Sequence, residues 1–114
     1  MEIVPFLLAK KLKEKGFKTE NTDWCYLDGD LVQVKKYINI SPYEYAPTIS
    51  QVLKWLREEK KLHISIEYGY EEIPVWDFEI RLIGNYGRWW TDETYSSYEL
   101  AVLAGVEYCL DNLI

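Results

Sequence analysis

The stretch LHISIEYGYEEIPVWDFEIRLIG, Leu62 to Gly84, decides the fold. Leu62, Ile64, Ile66, Tyr68 and Tyr70 alternate with His63, Ser65, Glu67 and Gly69. After the connector Glu71-Glu72-Ile73-Pro74, Trp76, Phe78, Ile80 and Leu82 alternate with Asp77, Glu79 and Arg81. A period of two marks a strand with one face buried. The segment therefore predicts a β-hairpin whose even positions form one apolar face. The other face gathers His63, Ser65, Glu67, Asp77, Glu79 and Arg81, and symmetric pairing brings His63 near Arg81.

Helical patterns flank this hairpin. Upstream, Thr48 and Gln51 have the spacing of a capping box, and Ile49, Val52, Leu53 and Leu56 make a one-sided stripe with Trp55 at its edge. Lys60 and Lys61 suit the negative end of that helix. Downstream, SSYE places Ser96 and Glu99 as a second capping box, with Tyr95 positioned to staple onto Leu100. Leu103, Val106, Leu110 and Leu113 carry the last stripe, broadened by Val102 and Cys109. Gly105 inside that helix calls for close packing, since an interior Gly costs about 1 kcal/mol against Ala.

Further out, Pro5 to Lys15 reads as a first helix with Leu8, Ala9 and Leu12 on one side. Pro5 takes its first position, and Gly16-Phe17 supplies a Schellman end in which Phe17 folds back on Leu12. The segment DWCYLDGDLVQVKKYI predicts a hairpin with a tight turn at Asp28-Gly29. Leu27 then pairs with Asp30, Tyr26 with Leu31, and Cys25 with Val32, while Cys25, Val32 and Val34 share a face. Ser41 to Pro47 reads as a loop in which Tyr43 and Tyr45 are either exposed recognition residues or, the favoured reading, a lid over the core. The expected architecture is α+β, a single domain over residues 1–114. Its order is α-β-β-α-β-β-α, with one antiparallel sheet of about four strands and helices packed mainly on one face.

Composition agrees with a folded domain. The chain has 114 residues, 48% of them apolar, including five Trp, ten Tyr and three Phe. Its formal net charge is −6, an acidic balance that opposes phosphate binding and hence nucleic acid as a partner. No run approaches the ~20 apolar residues of a membrane span. The Ile3–Ala9 patch lacks the basic start and small-residue cleavage site of a signal peptide. A cytoplasmic protein is the expectation, with Cys25 and Cys109 as reduced, buried thiols.

Catalytic and cofactor motifs are not legible. There is no nucleophile elbow, phosphate loop or dinucleotide fingerprint, so no catalytic residue, cofactor or metal is assigned. Asp28-Gly-Asp30 lacks the later ligands of a calcium loop. His63 would need at least two further ligands from Glu67, Asp77 or Glu79 to hold a metal, and such a patch reads first as a solvated sheet face. The remaining surface candidate is Tyr86, Arg88, Trp89 and Trp90. Trp, Tyr and Arg dominate interface hot spots. Neighbours in an extended chain point to opposite sides, so Trp89 and Trp90 cannot share one core. Either one is exposed or covered by a partner, or one enters the core and the other lies flat over the start of the last helix.

Four stretches occur together and in this order: VPFLLAKKLKEKGF (Val4–Phe17), YAPTISQVLKWLREEK (Tyr45–Lys60), LHISIEYG (Leu62–Gly69) and YSSYELAVLAGVEYCLDNLI (Tyr95–Ile114). The ordered set resembles a group of small uncharacterised proteins of Bacteroides-type bacteria and their prophages and mobile elements. That resemblance implies an intracellular accessory protein and carries over no catalytic residue and no ligand. The leading functional expectation is a non-catalytic domain that binds another protein or a second copy of itself. Two alternatives stand beside it: an acidic decoy of a nucleic-acid-binding protein, and a small-ligand or enzymatic domain with its site on the polar sheet face.

Overall fold

In a computed structural model the described residues are 3–18, 23–27, 30–33, 44–70 and 72–114. They fall into two compact units, Met1–Val52 and Leu53–Ile114.

In the first unit, α1 (Phe6–Glu14) buries Leu8, Ala9 and Leu12, the stripe expected from sequence. Pro5 stands at the N-cap with extended backbone, one position before the first helical turn. The far end is a Schellman motif. Gly16 has φ +95°, the Gly16 N–H donates to the Lys13 carbonyl at 3.1 Å, and the Phe17 N–H donates to the Leu12 carbonyl at 3.0 Å. Phe17 is buried.

Strands β1 (Trp24–Leu27) and β2 (Asp30–Gln33) pair antiparallel with Leu27 opposite Asp30, Tyr26 opposite Leu31 and Cys25 opposite Val32. That is the expected register. The turn at Asp28-Gly29, Val34, Tyr43 and the side chain of Tyr45 lie outside the described residues. A further strand was missed: β3 (Glu44–Tyr45) pairs with the open side of β1, so the sheet order is β2-β1-β3. Two residues are too few to show a period, and the flanking prolines made the segment read as loop. The Tyr26 hydroxyl donates to the Val4 carbonyl at 2.8 Å, and its ring meets Phe6 edge-on at 5.6 Å.

Helix α2 (Ile49–Glu59) spans the division between the units. Its capping box forms as read: the Thr48 N–H donates to Gln51 Oε1 at 2.8 Å, and the Gln51 N–H donates to Thr48 Oγ1 at 3.1 Å. Lys61 leaves the helix in the left-handed region, φ +59°.

In the second unit, β4 (Leu62–Tyr70) and β5 (Pro74–Leu82) pair antiparallel along their whole length. A third strand, β6 (Arg88–Trp90), adds to the other side of β5. In place of one sheet of about four strands, the described residues thus form two antiparallel sheets of three strands each. Helix α3 (Tyr98–Tyr108), extended by a π turn over Cys109–Leu113, lies against β5 and β4.

Three readings of this last region are corrected. The N-cap of α3 is Ser97, whose hydroxyl accepts from the Leu100 N–H at 3.1 Å. The Ser96–Glu99 box therefore does not start the helix. Tyr95 is not a staple either. It exchanges two backbone hydrogen bonds with Trp76, 2.9 and 2.7 Å, and its ring stacks on Phe78 at 6.3 Å, while Leu100 remains 49% exposed. Finally, Val102, Val106, Cys109 and Leu110 are buried as expected, but Ala101 and Gly105 complete the stripe while Leu103 and Leu113 are only half-buried. The helix approaches the sheet through its small residues. A Cβ added at Gly105 would stand 3.1 Å from Ile64 Cγ2 and 3.3 Å from Phe78 Cγ.

Candidate functional site

The register of the second sheet fixes what each face carries. His63 stands opposite Arg81, Ser65 opposite Glu79, and Glu67 opposite Asp77. Across β5, Glu79 faces Trp90, Ile80 faces Trp89, and Arg81 faces Arg88. Because side chains alternate, His63, Ser65, Glu67, Asp77, Glu79, Arg81, Arg88 and Trp90 project from one side. Trp89 projects from the other, with Ile64, Phe78 and Ile80.

The two tryptophans therefore have different fates. The Trp89 ring lies over Gly87, where an added Cβ would be 2.9 Å from Trp89 Cη2 and 3.2 Å from Leu82 Cβ. Trp90 is 64% exposed. Its ring centroid is 5.6 Å from the Arg88 guanidinium carbon, within cation–π range. Tyr86, in the turn between β5 and β6, is fully exposed and lines an open hollow of about 500 Å³ with His63, Arg81 and Arg88. That turn uses Gly84 at φ +79°, and the Tyr86 N–H donates to Asn85 Oδ1 at 2.6 Å.

Glu79 organises the polar face. Its Oε1 accepts from Arg81 Nε at 2.6 Å and from Arg88 Nε at 2.9 Å, and its Oε2 accepts from Arg88 Nη2 at 2.9 Å. The Arg88 contact is a bidentate fork, the strongest geometry for a carboxylate. The Glu79 side chain is only 14% exposed, against 61% for Arg81 and 55% for Arg88. The hydrogen bonds from Arg88 and then Arg81 hold its carboxyl at about 2, well below the ordinary 4.5. A shallow cleft of about 350 Å³ runs past Glu67, Asp77, Glu79, Arg88 and Trp90. Glu67 and Asp77 are like charges directly opposite each other, an unfavourable pairing, and neither has a cationic partner among the described residues.

The polar set and the basic-aromatic set were read as two candidates. The structure joins Arg88 and Trp90 to His63, Glu67, Asp77, Glu79 and Arg81, removes Trp89 to the apolar side, and sets Tyr86 at the margin beside His63, Arg81 and Arg88. Thr91, on the rim of the cleft, was missed. The available signal was the spacing Arg88-x-Trp90 after a Gly84–Gly87 turn, which continues the alternation of β5 into a third strand.

The chemistry on this face is that of charge and one aromatic ring. Among the described residues no group of three or more His, Cys, Asp or Glu is placed to hold a metal ion. Cys25 and Cys109 are free and buried, with burial raising both thiols, Cys109 to about 12. A nucleophilic role needs the thiolate, which burial opposes at both positions. Among the described residues no helix is long and apolar enough to cross a membrane. No protein-family model, curated protein or solved structure matches the chain.

Proposed function

We propose that this chain is a non-catalytic protein-binding domain, an intracellular, cytoplasmic accessory protein of the prophage or mobile-element kind. The observation that carries the binding reading is the exposure of Trp90 on a charged sheet face, beside an arginine fixed by Glu79. A large aromatic ring left in water next to a guanidinium held in place is the composition of an interface hot spot. Fixing Arg88 beforehand lowers the ordering cost of association. The accessory role and the origin are supported by the ordered motifs of Val4–Phe17, Tyr45–Lys60, Leu62–Gly69 and Tyr95–Ile114 alone, and the cytoplasmic location by two unbridged cysteines.

The test is affinity capture from the native cell with wild-type protein and the Trp90→Ala variant. Trp90→Ala should lose the captured partner while its far-UV circular dichroism stays that of wild type. Retention of every partner together with an unchanged oligomeric state would sink the assignment of this face.

A further inference from the structure

The polar face is a polarised grid. Its three rows cross the strands. The first holds Glu67 and Asp77, the second Ser65, Glu79 and Trp90, and the third His63, Arg81 and Arg88. The first row is acidic and the third basic. Glu79 in the centre is neutralised by both arginines. Arg81 uses Nε for Glu79, and its terminal nitrogens have no partner among the described residues.

We infer that this face is an isologous contact surface for a second copy of the chain. The inference rests on the reading of the face as protein-binding and names its occupant. A twofold axis along the middle row turns each strand end for end. It lays the acidic row of one copy on the basic row of the other. Asp77 then meets Arg81 of the second copy, Glu67 meets His63, and each contact occurs twice. Trp90 lies on the axis and covers its own counterpart, which removes the exposed ring from water. Asp77 thereby gains a cation, Arg81 of the second copy, that it lacks among the described residues of its own chain, and Glu67 gains an imidazole as neighbour. Glu79 also faces its counterpart on the axis, its charge offset within each copy by Arg81 and Arg88, so the complementarity is carried by the two Asp77–Arg81 contacts.

Its size sets its strength. With strands ~4.8 Å apart and like-facing residues ~6.8 Å apart, the eight grid positions cover roughly 260 Å². A stable interface needs about 800 Å² per partner. The dimer is accordingly weak, forms at high protein concentration, and weakens as salt screens its exposed charges.

Sedimentation equilibrium of the full chain at low salt, from dilute solution to the solubility limit, tests this. Wild type should pass from monomer to dimer, with the dimer reduced at high salt. Asp77→Arg and Arg81→Asp should each weaken it by roughly ten-fold or more, since each places like charges opposite at two symmetric sites. Mixing these two single variants should restore a dimer, because opposite charges then meet at both sites. Arg88 still grips Glu79 in both, and circular dichroism confirms that they fold. A wild type that stays monomeric throughout overturns the inference, as does a mixture no more associated than its components. A monomeric wild type that nonetheless loses a cellular partner on Trp90→Ala would overturn the self-contact and leave the protein-binding reading in place.

Discussion

At the scale of the residue, Glu79 has the sharpest signature. Its folded-state pKa of about 2 lies below the ordinary 4.5. A group depressed by folding contributes its full stabilisation above the unfolded value and loses it as pH falls through the folded one. The stability difference between wild type and Glu79→Gln should therefore be constant above pH ~5 and shrink between about 4.5 and 2. Urea titrations at a series of pH values read this directly; a difference that grows on acidification would mean the arginine fork is not formed. Trp90 and Trp89 give a second outcome at this scale. Acrylamide should quench wild-type fluorescence less after Trp90→Phe, because the most accessible indole is gone, and more after a change that uncovers Trp89, such as Leu82→Ala. Sequence alternation showed that the two rings must face apart. It did not show which faced out, because three residues of β6 contain no pattern apart from their partner strand.

At the scale of the element, termini and packing faces were unequally legible. The C-terminal end of α1 and the start of α2 were readable because Gly16 and the Thr48–Gln51 pair satisfy backbone groups by chemistry local to the chain, whereas Pro5 proved to be the N-cap of α1 and not its first residue. The start of α3 was misread by one residue. Ser96 and Ser97 are both competent caps, and the choice fell to the Trp76–Tyr95 bridge, a contact made across the fold. Ser97→Ala should accordingly cost about 1 kcal/mol, and Ser96→Ala close to nothing. Equal losses in chemical denaturation would restore the earlier cap. The buried stripe of α3 was legible at Val102, Val106, Cys109 and Leu110 and misread at its edges, for a related reason. Hydropathy favours Leu103 and Leu113, whereas the closest approach to the sheet is made at Gly105, beside Ile64 and Phe78. Gly105→Val should destabilise by about 1–3 kcal/mol, since Ile64 and Phe78 leave no room for the added methyls.

At the scale of the whole molecule, each of the two units contains one buried thiol, Cys25 in the first and Cys109 in the second. Composition made both cysteines readable as buried and reduced, but it could not divide the chain between units, since that depends on long-range contacts no local pattern encodes. The thiols turn that division into something measurable. Labelling by a thiol reagent requires exposure and a thiolate. Burial raises Cys25, and it raises Cys109 further, to about 12. Cys25 sits on a strand whose neighbours are a four-residue β2 and a two-residue β3. Cys109 follows a helix laid against two nine-residue strands. Short ladders open more readily than long ones, because fewer bonds must break together. In Cys25→Ala and Cys109→Ala variants, each retaining one thiol, both should label far more slowly than an unfolded control at pH 8. The variant that retains Cys109 should be the slower of the two. If both label at one rate that follows global stability across denaturant, the units open together as a single cooperative body; if Cys25 is the slower, the first sheet is more firmly held than its short strands imply.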